Sequence, residues 1–227
     1  MDELAGVFAV IPAYNEGGAI ARVVADLASR GAAVVVVDDG SGDDTGPCAL
    51  GAGATVLRHE VNRGQGAALQ TGLAYALLRG AEIVVTFDAD GQHDADDLPR
   101  LLAPIRGGEA EIALGSRFLG DSGAVPRGRR LLLRAAVLFT RATSGVRLTD
   151  AHNGLRAFSR RAAERIDLQL DRMAHASEII DQIRRSGLPY VEVPVTIRYT
   201  EYSRRKGQSS LAAARIALDY LLGKVLR

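Results

Sequence analysis

Three side chains that carry oxygen atoms occupy alternate positions directly after an apolar run. The segment EIVVTFDADGQHD covers residues 82–94, and the three side chains are those of Asp88, Asp90 and Gln92. In an extended segment alternate side chains share one face, so the three groups could bind one ligand. Two carboxylates and an amide oxygen suit Mg²⁺ or Mn²⁺ better than zinc. Because Mg²⁺ is usually held by one or two carboxylates together with substrate phosphates, the pattern indicates a metal site for a phosphorylated ligand. Taken alone, such a pair of aspartates more often caps a turn or a helix.

Two further clusters of polar residues or glycines follow apolar runs. Asp38 and Asp39 end the run AVVVVDD, where a carboxylate could accept hydrogen bonds from the base or ribose of a nucleotide. The nearby residues 43–45 equally resemble the N-cap of a helix. Gly64 and Gly66, in NRGQGAALQTG, lie at a predicted helix start, where backbone N–H groups can bind phosphate. Leucine replaces the third glycine of G-x-G-x-x-G, which argues against a dinucleotide site.

The elements that must position these clusters can be predicted from the hydrophobic pattern. Apolar runs of strand length alternate with segments of helical periodicity. Strands are predicted over 7–11, 33–39, 55–59, 82–87 and 111–116, and helices over 18–30, 66–79 and 97–105. Strands that are buried on both faces and alternate with helices indicate a mostly parallel α/β sheet. Ligands bind at the carboxyl ends of such strands, so the segments 12–16, 38–44 and 88–94 should converge on one edge.

The second half of the chain continues with a different spacing of elements. Its predicted elements are a helix over 128–142, a strand over 153–159, a helix over 177–187, a strand over 190–199 and an amphipathic helix over 209–226. Pro194 interrupts the alternating pattern of the last strand and therefore indicates an edge position in the sheet. A chain of 227 residues has the size expected for one large domain.

Composition and charge exclude several classes of protein. The formal net charge is +1, so no overall field attracts nucleic acid. The single cysteine, Cys48, rules out an internal disulfide and is typical of a reducing compartment. No apolar run approaches the length of about 18 residues that a membrane-spanning helix needs. We therefore expect a soluble, cytoplasmic protein.

Five short motifs occur in order along the first half of the chain: VIPAYNE, VVVVDDGSGDDT, NRGQGAAL, FDADGQ and LGSR. This order resembles the family 2 glycosyltransferases of the GT-A fold. DAHNGLRAFSR and VEVPVTIRYTEYSRRKGQS extend the similarity towards the dolichol- or polyprenyl-phosphate hexose synthases. The resemblance implies one GT-A domain over 1–227, with a Rossmann-like, mostly parallel sheet flanked by helices and a C-terminal acceptor-side extension. Residues 1–118 would bind the nucleotide sugar, and residues 119–227 would form the acceptor side and end in the amphipathic helix.

The resemblance also implies roles for individual residues. The implied ligands of Mg²⁺ or Mn²⁺ are Asp88, Asp90 and Gln92. The implied donor-binding residues are Pro12, Tyr14, Glu16, Val37, Asp39, Asp88, Ala89, Asp90, Arg117, Arg204 and Lys206. Asp90 would also be catalytic, and Arg117 would contact phosphate. In the segment RRKGQSS, Ser210 stands where such enzymes carry a lysine, and Lys206 is expected to replace that lysine.

A strongly basic segment lies near the start of the second half. Residues 122–149 contain six arginines and no Asp or Glu, and they include the stretch RRLLLRAAVLF. Such a segment could lie on an anionic membrane surface, or it could pack its leucines on the core and leave its arginines in water. The resemblance favours the membrane and makes Arg117, Arg130 and Arg134 the expected contacts of an acceptor phosphate. The inner face of a membrane, or a membrane protein, is then a candidate partner.

The implied reaction is an inverting, metal-dependent transfer of a hexose from a GDP- or UDP-sugar to a polyprenyl phosphate. A phosphate monoester has a second pKa of about 6 and is already an anionic nucleophile at neutral pH. A saccharide or another hydroxyl acceptor would instead need a general base. The candidates for that base are Asp150, the first choice, and then His152, His175 and Glu178. His93 is expected to be exposed on its loop, and His59 carries no functional signal.

Two more distant alternatives remain at this point. A sugar-nucleotide pyrophosphorylase shares the sheet type, but it would carry a glycine-rich phosphate loop after the first strand, where this chain has PAYNE. A non-catalytic subunit that binds a nucleotide sugar and docks on a membrane protein would not need the acidic and basic site residues together.

Overall fold

The computed structural model describes most of the chain. The described residues are 4–119, 137, 145–146, 148–150, 153–169 and 175–198. The predicted final helix and nearly all of the predicted basic helix lie outside them, as do Arg130, Arg134, His152, Arg204 and Lys206. No helix in the described part of the chain is both long enough and apolar enough to span a membrane.

Strands and helices alternate through the described chain. The strands are β1 (Val7–Ala13), β2 (Ala33–Asp38), β3 (Thr55–Arg58), β4 (Ile83–Thr86), β5 (Ile112–Ser116), β6 (Arg156–Ser159) and β7 (Tyr190–Pro194). The helices are α1 (Ile20–Ser29), α2 (Thr45–Gly51), α3 (Gln65–Leu78), α4 (Leu98–Arg106), α5 (Arg160–Ala163) and α6 (His175–Ser186), and a 3-10 turn (Ala95–Asp97) precedes α4.

All seven strands form one sheet in the order β3-β2-β1-β4-β6-β5-β7. Strand β6 runs antiparallel to β4 and β5, and all the other neighbours are parallel. The predicted mostly parallel α/β sheet is therefore confirmed, and β7 lies at its edge as Pro194 indicates. The sequence pattern does not predict the direction of β6, because periodicity reports burial and not strand direction.

Helices cover both faces of the sheet. Successive residues of β1 point to opposite sides, with Ile11 in one core and Val10 in the other. The first core packs α1 and α4 against the sheet, and the second packs α3 and α6. Because both faces are buried, polar functional groups of the strands lie mainly at the strand ends. The few charged side chains within the strands have partners.

Helix α3 lies so close to the sheet at Gly72 that a side chain has no room. A methyl group at this position would lie 2.3 Å from Cγ1 of Val10, which is buried. We expect Gly72→Ala to lower the free energy of unfolding by about 1–3 kcal/mol, because an added carbon in a closed core forces its neighbours to move. Gly51→Ala is the matched control, since a methyl group there meets no atom within 4 Å. Urea unfolding compares the two variants, and equal stabilities would contradict the expectation.

The sequence indicates helix α2 only through the residues at its start, which resemble an N-cap. Its sequence, TGPCALG, contains two glycines and a proline, which are poor helix formers. Oδ1 of Asp43 accepts the N–H of Thr45 (3.1 Å), whereas the N-cap residue Asp44 makes no side-chain capping bond. A methyl group on Gly46 would lie 2.9 Å from Oδ2 of Asp38. Packing against the end of β2, rather than helix propensity, therefore fixes this helix.

Candidate active site

The loops that follow β1 and β2 are bound to each other at the predicted edge of the sheet. Asn15 donates its backbone N–H to Oγ of Ser41 (3.0 Å), and its Oδ1 accepts the N–H of Gly42 (2.9 Å). Its φ of 55° lies in the left-handed region, which asparagine tolerates better than most residues. The backbone of Glu16 donates to Oγ1 of Thr45 (2.8 Å). Two of the three segments that were predicted to converge therefore form one surface.

The residues expected to contact the nucleotide differ in accessibility on this surface. Tyr14 is 49% exposed, and Pro12 and Glu16 are half-buried. Val37 and Ala89 are buried, so these two positions can reach a ligand only through their backbone atoms.

Asp39 binds the turn that leads into α3. Its Oδ1 accepts the N–H of Arg63 (2.9 Å) and lies 2.7 Å from Nδ1 of His59, and its Oδ2 accepts the N–H of Gly64 (2.7 Å). Nε2 of the same histidine lies 3.0 Å from Oγ1 of Thr71. Asp39 thus joins the end of β2 to the glycine-rich start of α3. His59, which carries no signal in the sequence, is part of this connection.

Asp88 lies at the end of β4 with one side open and the other enclosed. Its side chain is 33% exposed, and Nε2 of His93 lies 2.8 Å from its Oδ2. A methyl group on Gly154 would lie only 2.4 Å from both carboxylate oxygens, so the carboxylate occupies the space that any larger residue would fill. Nε2 of Gln65 approaches Oδ1 at 3.5 Å. The carboxylate of Asp88 is therefore held in place on its enclosed side and accessible to solvent on its open side.

Asp90 and Gln92 form a short ring beside Asp88. Oδ1 of Asp90 accepts the backbone N–H of Gln92 (3.0 Å), and its Oδ2 accepts the side-chain Nε2–H of the same residue (2.5 Å). The amide nitrogen of Gln92 is thus committed to Asp90, which leaves the amide oxygen as the atom that could bind a cation. The three residues lie together, as their alternate spacing predicts.

The charges at this site favour a cation. Burial and the charge of Asp88 raise the pKa of Asp90, against the hydrogen bonds from Gln92. Burial alone would raise the pKa of Asp88, but His93, Arg156 and His175 together lower it. Within the part of the chain that the structure describes, no group of three or more His, Cys, Asp or Glu side chains could hold a metal ion. Two neighbouring carboxylates and an amide fit a hard cation when its remaining ligands come from water or phosphate.

A buried ion pair lies at the end of β5. Oδ2 of Asp150 accepts from Nε of Arg117 (2.5 Å) and from its backbone N–H (3.2 Å). The two side chains are 1% and 8% exposed, respectively. Glu192 on β7 holds the segment in place, because its carboxylate accepts the backbone N–H groups of Thr149 (2.9 Å) and Asp150 (3.2 Å). The carboxylate of Asp150 therefore orients this arginine at the end of β5.

A family model described as glycosyl transferase family 2 matches residues 8–167. The chain is a family 2 glycosyltransferase. This membership confirms the resemblance seen in the sequence and the prediction of a glycosyltransferase, in preference to a pyrophosphorylase or a non-catalytic subunit.

Several curated proteins are similar to this glycosyltransferase over nearly all of its length. The uncharacterized protein MJ1222 of Methanocaldococcus jannaschii is 38% identical over 96% of this chain and 92% of its own. A UDP-N-acetylglucosamine–dolichyl-phosphate N-acetylglucosaminyltransferase of Methanococcus voltae is 33% identical over 97% and 98%, respectively. A polyprenol monophosphomannose synthase of Mycolicibacterium smegmatis is 35% identical over 91% and 81%.

Solved structures show the same fold at lower identity. The structure of glucosyl-3-phosphoglycerate synthase from Mycobacterium tuberculosis with Mn²⁺, UDP-glucose and phosphoglyceric acid matches with a TM-score of 0.70 and 22% identity. The match covers 95% of this glycosyltransferase and 77% of that chain. A complex of the same enzyme with Mg²⁺ and UDP matches with a TM-score of 0.66 at 24% identity, over 96% and 78% of the two chains. The likeness confirms the GT-A fold.

Arg156 is a buried cation beneath the site that the sequence motifs do not single out. It lies on β6 and is only 4% exposed. Burial lowers the pKa of Arg156 to about 10, while the nearby carboxylates of Asp88 and Asp150 oppose this shift. The signal in the sequence is an arginine at the first position of the strand RAFS, directly before two apolar residues, since a buried guanidinium must have anionic partners.

The histidines of this glycosyltransferase are less exposed than the sequence suggests. His93 was expected to be exposed, and this expectation is wrong: the residue is only 7% exposed, because its ring is bound to Asp88. His175 is buried at the start of α6, near enough to Asp88 to affect its pKa. Glu178 is also buried, and its carboxylate accepts the backbone N–H of Gln169 (3.1 Å).

The segment after β7 runs along the loop that carries Asp88. Ile197 forms an antiparallel bridge with His93, and the N–H of Arg198 donates to the carbonyl oxygen of Gln92 (2.8 Å). The N–H of Thr196 donates to Oδ2 of Asp97 (2.5 Å). The last described residues after β7 therefore lie beside the loop that carries the candidate metal ligands.

Proposed function

We propose that this protein is an inverting, metal-dependent glycosyltransferase that transfers a hexose from a GDP- or UDP-sugar to the phosphate of a polyprenyl phosphate. The observation that carries the proposal is the buried ion pair between Asp150 and Arg117. This pair supports the proposal, because it holds a cation in a fixed orientation and engages the carboxylate that was the first candidate for a base.

The state of Asp150 favours a phosphate over a hydroxyl acceptor. A hydroxyl nucleophile needs a group that can take its proton. The carboxylate of Asp150 already accepts two hydrogen bonds from Arg117, and Glu178 is buried and bound to the backbone of Gln169. A phosphate monoester needs no base at neutral pH, but it does need positive charge around its oxygens. Arg117 suits that role, and we propose Arg130 and Arg134 as further contacts of the same phosphate.

The relatives support the same acceptor. The Methanococcus voltae protein is named for dolichyl phosphate, and the Mycolicibacterium smegmatis protein is named for a polyprenol. An undecaprenyl-phosphate mannosyltransferase of Micrococcus luteus is also 33% identical over 88% of this chain. These names agree on a lipid phosphate and differ in the sugar. We therefore propose that transfer takes place at the cytoplasmic face of a membrane, and we leave both nucleotide bases as donor candidates.

We propose a separate role in the transfer for each group of site residues. Asp88, Asp90 and Gln92 would hold Mg²⁺ or Mn²⁺. When bound, this cation would neutralise negative charge on the departing nucleoside diphosphate. Arg204 and Lys206 would add positive charge at the same diphosphate. Tyr14 and Glu16 would contact the nucleotide at the open edge of the sheet, with Asp39 beneath them. Arg117 would bind the acceptor phosphate, and a single in-line attack on the anomeric carbon would invert its configuration.

The experiment measures transfer by the purified protein with Mn²⁺ or Mg²⁺ and a panel of UDP- and GDP-sugars. Each donor is supplied with a short polyprenyl phosphate, with the corresponding polyprenol and with no acceptor. We expect nucleoside diphosphate release and glycolipid formation only with the phosphate, and none in Asp90→Ala. Equal transfer to the alcohol would overturn the proposed acceptor, and transfer without divalent metal would overturn the proposed metal dependence.

Asp150→Asn separates the two possible roles of this residue. As the group that orients Arg117, its loss should raise KM for the lipid phosphate by about 10-fold, equivalent to about 1.4 kcal/mol, and change kcat only slightly. As a general base, its loss should instead lower kcat by about 100-fold or more at every acceptor concentration and alter the pH–rate profile. Steady-state kinetics with saturating donor and Mn²⁺ distinguish these results, and the second pattern would contradict the proposed acceptor.

A further inference from the structure

His93 contacts the candidate metal ligand Asp88 from the enclosed side of the site. Its Nε2 lies 2.8 Å from Oδ2 of that carboxylate, and its side chain is 2% exposed. The ring stands edge-on to Phe87, with centroids 5.2 Å apart and an interplanar angle of 69°. The backbone of His93 is paired with Ile197. The imidazole is therefore fixed by an aromatic ring and a strand bridge as well as by the carboxylate.

The two ring nitrogens of His93 have different surroundings. Nε2 faces a carboxylate, which can only accept when it is ionised, so Nε2 carries the shared hydrogen. Nδ1 is buried and has no hydrogen-bond partner among the described residues, so a proton there would be an unpaired buried donor. The surroundings thus favour the tautomer in which His93 donates to Asp88 from Nε2.

The two oxygens of Asp88 are held unequally. Among the described residues, Oδ2 accepts the hydrogen bond from His93, whereas Oδ1 has a long contact of 3.5 Å with Nε2 of Gln65. The carboxylate cannot move backwards, because it already fills the space beside Cα of Gly154. The shorter hydrogen bond, from His93, therefore fixes Oδ2 and with it the direction in which Oδ1 points.

We propose that His93 is a positioning residue for metal binding: it holds Oδ2 of Asp88 and so directs the remaining oxygen of this carboxylate to the cation. The inference rests on the proposed metal-dependent function and assigns a role to a residue that function does not use. Carboxylate ligands are commonly held by such outer hydrogen bonds, and the loss of one typically reduces metal affinity about 10–100-fold.

The test compares the affinity of variants for Mn²⁺ alone, measured on the full-length protein by electron paramagnetic resonance. His93→Leu removes the donor and should weaken Mn²⁺ binding about 10–100-fold. His93→Gln can place an amide N–H near the position of Nε2 and should stay within about 3-fold of the wild type. In transfer assays the same loss should appear as a higher apparent KM for Mn²⁺, with kcat recovered at saturating metal.

A second buried histidine gives a matched control. His59 pairs with Asp39 at 2.7 Å and is 9% exposed, but it belongs to the turn before α3 and not to the metal loop. His59→Leu should therefore lower the melting temperature and leave the affinity for Mn²⁺ alone unchanged. If His93→Leu does not fold, His93→Asn replaces it, because its amide reaches the position of Nδ1 but not that of Nε2. The same loss of affinity is then expected.

The possible outcomes separate this inference from the proposed function. If the wild type binds Mn²⁺ and His93→Leu or His93→Asn binds it equally well, the positioning role is wrong while metal dependence stands. If His93→Gln is as weak as His93→Leu, ring shape matters instead of the donated hydrogen bond, and the inference also fails. If the wild type itself binds no Mn²⁺ with or without UDP, the proposed metal-dependent function fails first.

Discussion

Gly154→Ala is expected to lower kcat/KM by at least about 100-fold while the fold remains almost as stable as the wild type. A methyl group at this position would lie 2.4 Å from both carboxylate oxygens of Asp88. The obstacle is the end of a side chain and not the backbone, so the carboxylate can turn away. The carboxylate would then lose its hydrogen bond with His93 and would no longer point towards the cation. A misplacement of about 1 Å in a reacting group can reduce the rate about 100-fold.

Two measurements on the same preparation test this result. Donor turnover with Mn²⁺ should fall in Gly154→Ala and remain normal in Gly51→Ala, where a methyl group meets no neighbour. Urea unfolding should show a smaller loss of stability than for Gly72→Ala. Wild-type turnover would contradict the account of Asp88, and a large loss of stability would mean that the backbone moves instead of the side chain.

Arg156→Leu is expected to reduce the free energy of unfolding by about 3–5 kcal/mol, because it removes the buried cation next to two carboxylates. Arg156 is 4% exposed, and its charge acts on both Asp88 and Asp150. Arg156→Lys keeps the charge and should lose less stability than Arg156→Leu. The matched control is Arg161→Leu, since this side chain is 64% exposed beside Glu111 and should contribute at most about 1 kcal/mol. Equal effects of the two leucine substitutions in urea unfolding would contradict the role given to Arg156.

The loss of stability caused by Arg156→Leu should be smaller in acid than at neutral pH. Burial would raise the pKa of Asp88, but His93, Arg156 and His175 lower it below its ordinary value of 3.8. A carboxylate whose pKa is lowered by folding stabilises the protein above its unfolded pKa and loses this contribution as the pH falls through the folded value. The stabilisation that Arg156 provides through Asp88 is therefore fully present at about pH 7 and reduced below about pH 4. Urea unfolding of both proteins at about pH 7 and about pH 3 measures the change, and a deficit that grows in acid would contradict it.

The sequence predicts the parts of the site that depend on local spacing. Alternation places Asp88, Asp90 and Gln92 together because side chains two residues apart in an extended segment share a face. Burial on both faces predicts the parallel sheet and the edge on which the loops meet. Pro194 predicts an edge strand, since a proline cannot donate to a neighbouring strand.

The parts that depend on pairing across the sheet could not be predicted in this way. Arg156 lies close enough to interact with the charges of Asp88 and Asp150 because β6 inserts antiparallel between β4 and β5, and periodicity carries no strand direction. His93 reads as a loop residue because its partner Ile197 is about a hundred positions away in the chain. The role proposed for Asp150 rests on its contact with Arg117, and no spacing in the sequence predicts that contact.

The position of β6 also determines when the sheet can form during synthesis. In the described sheet β5 pairs only with β6 and β7, and β4 meets β6 on the side away from β1. A nascent chain that has reached residue 118 therefore holds β4 as an open edge and β5 without its neighbours. Unpaired strands of this kind bind other chains readily. Residues 1–118 made alone would therefore lack the two strands that complete the described sheet, and they would expose this edge to other chains.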